Sequence, residues 1–116
     1  MRAGYLAPYG SWDERVAIQR FVEDIPMDAS HPSWPALLEV EQSIERFTDR
    51  PALIVWGERD WCFTPAFRFE WERRLPRAEV HPIETAGHYV MEDATVEVLD
   101  RIAGFLADGR ETATRG

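Results

Sequence analysis

The stretch PALIVWGERD, residues 51–60, decides the fold of this chain. Its apolar part, residues 52–57, is short, rich in β-branched side chains and free of polar alternation. Such a run is typical of a parallel strand that is covered on both faces. Pro51 and Gly57 bound the run, and Asp60 follows three residues after the glycine. We therefore predict a buried strand that ends in a polar loop.

A second strand is predicted over AEVHPIE, residues 78–84. It contains Pro82, and because proline cannot donate to a strand ladder, this strand is expected at an edge of the sheet. A helical pattern separates the two strands, and a strand–helix–strand unit has parallel strands with a right-handed crossover. The predicted fold class is therefore α/β.

Four helices are predicted along the chain, at about residues 11–26, 33–47, 64–75 and 95–107. Ser11 and Glu14 have the spacing of a capping box at the first of them. Each helix carries apolar side chains at helical spacing, and we expect these faces to be buried. The faces are Ile18, Phe21, Val22 and Ile25; Leu37, Val40, Ile44 and Phe47; Phe67, Trp71 and Leu75; and Val98 or Leu99 with Ile102, Phe105 and Leu106.

Two parallel strands alone cannot give the first strand the burial that its sequence predicts. The inner strand would keep an unpaired ladder, and small two-stranded sheets are marginal in water. We therefore expect that strands before residue 1 are missing. The chain would then be the C-terminal part of a doubly wound sheet, of which two parallel strands are present here.

The composition limits the classes of partner. A hydrophobic share of 45% predicts a globular chain, and the net charge of −8 argues against a nucleic acid partner. No apolar run approaches the ~20 residues that cross a bilayer, so we expect no membrane partner and a cytoplasmic location. Cys62 is the single cysteine and the histidines lack ligand spacing, so neither a disulfide nor a metal site is predicted.

Two polar side chains follow the predicted strands at their carboxyl ends. Asp60 follows the first strand, and His88 follows the second, in TAGHYVMED. Neighbouring strands lie ~4.8 Å apart, so we expect the carboxylate within hydrogen-bond reach of the imidazole. A carboxylate on one ring nitrogen leaves the other nitrogen free as a general base. Either residue alone would more often be structural, and it is the pairing at two strand ends that favours catalysis.

The strand ending PALIVWGERD, followed one helix and one strand later by AGHYVMED, resembles the C-terminal part of α/β-hydrolase-fold enzymes. The resemblance implies that Asp60 is the acid and His88 the base of a catalytic triad, and it implies no cofactor. Residues 5–26, YLAPYGSWDERVAIQRFVEDIP, resemble the end of the cap in the haloalkane dehalogenase and epoxide hydrolase branch. Within that branch the chain resembles in particular the β-lactone decarboxylases of bacterial olefin synthesis.

The resemblance also implies a division of the chain. Residues 1–34 are expected to form the end of the cap region and the return helix, residues 35–107 the C-terminal part of the core, and residues 108–116 a flexible tail. Trp61 and Phe63 stand beside the proposed acid. We predict that they bind the substrate, which the resemblance implies to be small and hydrophobic, although packing is the more common role of such side chains.

A nucleophile elbow is absent from the sequence. The elbow needs two glycines four residues apart, and no two of the seven glycines have that spacing. We therefore expect the chain alone to be inactive, with the N-terminal part of the same fold as its missing partner. In the intact enzyme His88 would activate water to attack a covalent ester intermediate.

The identity of the missing nucleophile leaves the chemistry open. An Asp would imply a haloalkane dehalogenase-like, epoxide-cleaving or β-lactone-cleaving enzyme, and a Ser would imply an esterase or lipase relative. A different class is also open, that of a non-catalytic truncated α/β module. Such a module would bind a partner through its acidic surface and its exposed sheet edge.

Overall fold

The computed structural model describes residues 2–114, with side chains for residues 3–107. The chain divides into two compact units, Met1–Gln42 and Ser43–Gly116. The flexible tail predicted over residues 108–116 lies outside the residues described in full. Within the described part of the chain, no helix combines the length and the apolar character needed to cross a membrane.

The first unit is helical over its described residues. Its elements are α1 (Arg2–Leu6), a 3-10 turn (Asp13–Arg15), α2 (Val16–Glu23) and α3 (Trp34–Ser43), the last of which ends at the boundary of the unit. The predicted capping box is present: the Ser11 N–H donates to the Glu14 carboxylate at 2.8 Å, and the Glu14 N–H donates to Ser11 Oγ at 3.3 Å. The predicted start of the first long helical segment is therefore confirmed.

The apolar face of α2 is exposed, so its predicted burial is wrong. Phe21 is 78% exposed, and side chains of this face and of α3 are exposed as well: Ile18, Val22, Ile25, Leu37 and Val40. Helical spacing identifies the side chains that share a face, but burial also needs a second surface opposite that face. The short helices described in this unit do not enclose these side chains.

The second unit holds the sheet and confirms the predicted α/β class. Its elements in chain order are a 3-10 turn (Ile44–Phe47), β1 (Leu53–Gly57), α4 (Pro65–Arg74), β2 (Glu79–Ile83), α5 (Val90–Asp93) and α6 (Thr95–Thr114). The strands β1 and β2 run parallel, in a register that pairs Leu53 with Glu79 and Gly57 with Ile83. The described residues form no further strand of this sheet. Both carboxyl ends therefore lie at the same edge.

A small core lies between the sheet and α6. Its buried residues are Ile83, Ala86 and Val98, and four partly buried side chains pack against them: Val55, Val90, Ala94 and Ile102. Val98 and Ile102 thus confirm the predicted inner face of α6. Leu99 and Leu106, which were also predicted to face inward, are exposed.

Two other expectations of burial in this unit are not met by the described residues. In β1 only Ile54 and Gly57 are buried, so the strand is not covered on both faces within the described residues. In α4 the predicted inner residues Phe67 and Trp71 are exposed, and Arg68 is buried instead. Arg68 is buried because its guanidinium pairs there with the carboxylates of Glu58 and Glu72. An apolar side chain in its place would leave those carboxylates unpaired.

The core can be tested with two valines of α6. Val98 is 2% exposed and Val96 is 74% exposed. We expect Val98→Ala to lower the free energy of unfolding by about 1–3 kcal/mol, because it removes two buried methyl groups and leaves a cavity. Val96→Ala is the matched control and should change it by less than about 0.5 kcal/mol. Urea denaturation measures both variants, and equal losses would contradict this description of the core.

Candidate active site

The loops that follow β1 and β2 are joined by backbone hydrogen bonds. The Glu58 N–H donates to the Ile83 carbonyl at 3.1 Å, and the Arg59 N–H donates to the Ala86 carbonyl at 2.9 Å. These bonds continue the contact between the strands beyond their carboxyl ends. The loop that carries Asp60 is therefore held beside the loop that leads to His88, as the sequence predicts.

Gly57 is the point of closest approach between the two loops. A Cβ atom at this position would clash with the Gly87 carbonyl oxygen and would lie 2.7 Å from that of Ala86. Backbone atoms cannot move aside as the end of a flexible side chain can. Glycine is therefore required at the end of β1 for the loops to meet.

Asp60 and His88 are in contact at this edge of the sheet. The His88 Nδ1 atom lies 3.1 Å from each of the two carboxylate oxygens of Asp60, in a partly buried position. The contact predicted between these side chains is confirmed. An ionised carboxylate only accepts hydrogen bonds, so in the neutral imidazole the proton belongs on Nδ1 and Nε2 keeps a lone pair. An imidazole in this state can take up a proton at Nε2.

The Asp60 carboxylate is fixed by the backbone that follows it. The N–H groups of Cys62 and Phe63 both donate to Asp60 Oδ1 at 2.8 Å. Burial acts to raise the pKa of Asp60, but the hydrogen bonds from Phe63, His88 and Cys62 together outweigh it and hold that pKa below its ordinary value. The carboxyl group is therefore ionised at neutral pH, as the contact with His88 requires.

The backbone before His88 is held by a carboxylate that the sequence pattern does not single out. The Gly87 N–H donates to Asp93 Oδ2 at 2.8 Å. Asp93 is the last residue of α5, a short helix. The acidic pair Glu92–Asp93 close after a glycine is the only signal in the sequence, and such residues are usually solvated.

Aromatic side chains surround the His88 ring. The ring centroids of Trp61, Phe63 and Tyr89 lie 6.1, 5.5 and 5.3 Å from that of the imidazole. The indole N–H of Trp56 donates to the Phe63 carbonyl at 3.0 Å, which fixes this loop to β1. The structure thus brings both predicted substrate-binding residues beside His88, and their role in binding stays a prediction.

A cavity of about 270 Å³ opens beside Asp60 and His88. Its walls combine apolar side chains with the two polar ones, and they are formed by Val55, Trp56, Gly57, Asp60, Phe63, Gly87, His88 and Val90. Phe63 therefore contributes to the wall, whereas Trp61 does not and is strongly exposed. A mostly apolar cavity with a few convergent polar groups is the usual form of a small-molecule site.

The contact at Gly57 gives a direct test of how the site is built. We expect Gly57→Ala to lower the free energy of unfolding by about 1–3 kcal/mol, because the new methyl group must push the loop before His88 away. Gly104→Ala is the matched control, since a Cβ there meets nothing within 4 Å and alanine favours a helix. Urea denaturation and the NMR signals of His88 measure both effects. A stable Gly57→Ala variant with unchanged His88 signals would contradict the steric description.

The lowered pKa of Asp60 predicts how stability depends on pH. A carboxyl group whose pKa is lower in the folded state stabilises that state fully above its ordinary pKa of 3.8, and this contribution is lost as the pH falls through the lower folded value. We therefore expect Asp60→Asn to lose less stability than the wild type on acidification through this range. Urea midpoints at pH 7 and pH 3 measure the difference, with Asp100→Asn on α6 as the control. Equal acid sensitivity of the wild type and Asp60→Asn would contradict this prediction.

Comparison with known proteins identifies relatives of the chain, although no family model matches it. The cis-3-alkyl-4-alkyloxetan-2-one decarboxylase of Shewanella oneidensis is 35% identical over 99% of this chain and 36% of that protein. The enzyme of the same name from Xanthomonas campestris pv. campestris is 41% identical over 91% of this chain and 35% of that protein. A haloalkane dehalogenase of Mycobacterium marinum is 28% identical over 88% of this chain and 34% of that protein.

The chain thus spans about a third of the length of the curated relatives it matches. The matched part is the C-terminal part of those enzymes, which share the α/β-hydrolase fold. The resemblance predicted from the strand-end motifs is confirmed by these relatives. The chain is similar to a C-terminal part of the decarboxylases and dehalogenases that it matches.

Proposed function

We propose that Asp60 and His88 are the acid and the base of the catalytic site of an α/β-hydrolase-fold enzyme. The observation that carries the proposal is the contact of His88 Nδ1 with both carboxylate oxygens of Asp60. This contact leaves Nε2 as the proton acceptor, beside a cavity of about 270 Å³. Asp60 orients the imidazole and stabilises the imidazolium that forms when Nε2 is protonated.

The nucleophile belongs to the part of the enzyme that this chain does not span. The relatives are about three times as long as the segment they share with it. We propose that strands from that part continue the sheet, and that residues 1–34 are the end of the cap while residues 35–107 belong to the core. The missing N-terminal part of the fold is then the partner that the chain requires.

The proposed chemistry passes through a covalent ester. In a hydrolytic cycle, Nε2 removes a proton from water while the water oxygen forms a bond to the ester carbon. The oxygen that leaves takes the proton back from the imidazolium, so the base returns to its starting state. Loss of carbon dioxide from a β-lactone consumes no water, so this water step belongs to the hydrolytic reaction alone.

The proposed substrate is a small, hydrophobic β-lactone. The oxetan-2-one in the names of the two decarboxylases is a β-lactone ring, and it carries two alkyl groups in those substrates. Loss of carbon dioxide from such a ring gives an alkene. Val55, Phe63 and Val90 make the cavity wall of this chain largely apolar, which suits alkyl groups better than charged ones.

A chimeric enzyme tests the proposed roles. The chain would replace the matching third of the Xanthomonas campestris decarboxylase, and consumption of a cis-3-alkyl-4-alkyloxetan-2-one would be followed. We expect turnover in the chimera, and a loss of about 10²–10⁴-fold with His88→Ala, since that is the usual contribution of general acid–base catalysis. Asp60→Asn should also lower turnover, because the imidazole loses its orienting carboxylate.

His81→Ala is the matched control for this experiment. His81 is a histidine of β2 whose Nε2 contacts Glu79 at 2.6 Å, so its loss should leave turnover within a few-fold of the unchanged chimera. A chimera that keeps full turnover after His88→Ala contradicts the assignment of the base. Equal losses in the His81 and His88 variants also contradict it, because the effect would then be one of stability.

A further inference from the structure

Arg68 of α4 is the one polar or charged residue of the described chain that is buried, with 8% of its surface exposed. Its Nε donates to Glu58 Oε1 at 2.7 Å, and its Nη1 donates to Glu72 in the same helix. Burial acts to lower the pKa of Arg68, but the two carboxylates outweigh it and raise that pKa above its ordinary value. The arginine is therefore charged and makes ion pairs with both carboxylates.

The two ion pairs of Arg68 differ in what they connect. The pair with Glu72 lies within α4, at a spacing of four residues, and helices form such pairs at their surface. The pair with Glu58 joins α4 to the loop after β1, and both side chains are largely buried. A buried ion pair adds little net stability, because removing two charges from water offsets their attraction. A geometric role explains such a pair better than a gain in stability.

The pair with Glu58 closes a segment of chain that contains the catalytic acid. Glu58 and Arg68 are ten positions apart, and Asp60 lies between them. The two N–H groups that hold Asp60, those of Cys62 and Phe63, lie in the same segment. Tying the ends of a segment together removes conformations in which those donors would move away.

The opposite side of the same loop is fixed by the loop that leads to His88. The Glu58 N–H donates to the Ile83 carbonyl, and the Arg59 N–H donates to the Ala86 carbonyl. Glu58 is thus held through its backbone to the β2 side and through its side chain to α4. The position of Glu58 relative to β2 and α4 therefore determines where Asp60 lies, two residues further along the chain.

We propose that Glu58 and Arg68 are positioning residues of the acid–base pair, and that their ion pair closes residues 58–68 so that the Asp60 carboxylate stays against His88. The inference rests on the proposed function of Asp60 and His88. Neither Glu58 nor Arg68 lines the cavity, so neither of them is assigned contact with a substrate.

The direction in which the Asp60 pKa changes distinguishes a positioning role of Glu58 from a direct effect of its charge. Glu58→Gln removes a negative charge from the loop, and a direct charge effect alone would lower the pKa of Asp60. Loss of position weakens the hydrogen bonds to Asp60 and raises that pKa instead. We expect the second outcome, with a decrease of about threefold or more in the acid dissociation constant of Asp60. Carbon-13 NMR of the Asp60 carboxyl group in the full chain measures it.

Glu72→Gln is the matched control, because it takes from Arg68 the partner that lies within α4. It should leave the Asp60 pKa and the NMR signals of the His88 ring nitrogens unchanged, whereas Glu58→Gln should alter both. Arg68→Lys is a second variant that keeps the charge but lacks the guanidinium fork, and it should act in the same direction as Glu58→Gln. This variant keeps the test open if Glu58→Gln does not fold.

The outcomes distinguish this inference from the function on which it rests. An Asp60 pKa that falls or stays constant in both Glu58→Gln and Arg68→Lys, with His88 unchanged, overturns the positioning role and leaves the acid–base assignment intact. Failure of the assignment itself would appear in Asp60→Asn. If this variant leaves the His88 ring nitrogen signals as they are in the wild type, the two residues are not coupled.

Discussion

The site depends on how closely the backbone at Gly57 approaches the backbone at Ala86 and Gly87. A side chain at residue 57 cannot fit there, so the end of β1 can touch the loop after β2 only with glycine. Two hydrogen bonds between the loops use this proximity. The contact of Asp60 with His88 follows from it, because each side chain stands one to three residues beyond the meeting point.

Several polar groups around this contact hold Asp60 and His88 in place. Backbone N–H groups orient Asp60, and Asp93 holds the backbone before His88. The buried ion pair of Arg68 with Glu58 ties the loop that carries Asp60 to α4. All of these groups lie within the second unit of the chain. The contact of Asp60 with His88 is therefore built by a chain that spans about a third of the length of the relatives.

The sequence was most informative where local pattern and topology coincide. An apolar run before G-x-x-D and a proline-containing run before His88 were enough to predict two parallel strands and the meeting of Asp60 with His88, since parallel strands bring their carboxyl ends to one edge. The capping box of Ser11 and Glu14 was equally predictable, because it is local. Burial was not, as the exposed Phe21 and Phe67 and the buried Arg68 illustrate. Which face of a helix is covered depends on residues distant in sequence, and spacing alone does not contain that information.

The protonation state of the His88 ring shows directly whether Asp60 holds the imidazole. Nitrogen-15 NMR of the full chain, at a pH at which the ring is neutral, distinguishes which ring nitrogen carries the proton. We expect a protonated Nδ1, donating to Asp60, and an unprotonated Nε2. A ring that is protonated mainly on Nε2 would contradict this, because Nδ1 would then not donate to Asp60 and Nε2 would have no free lone pair.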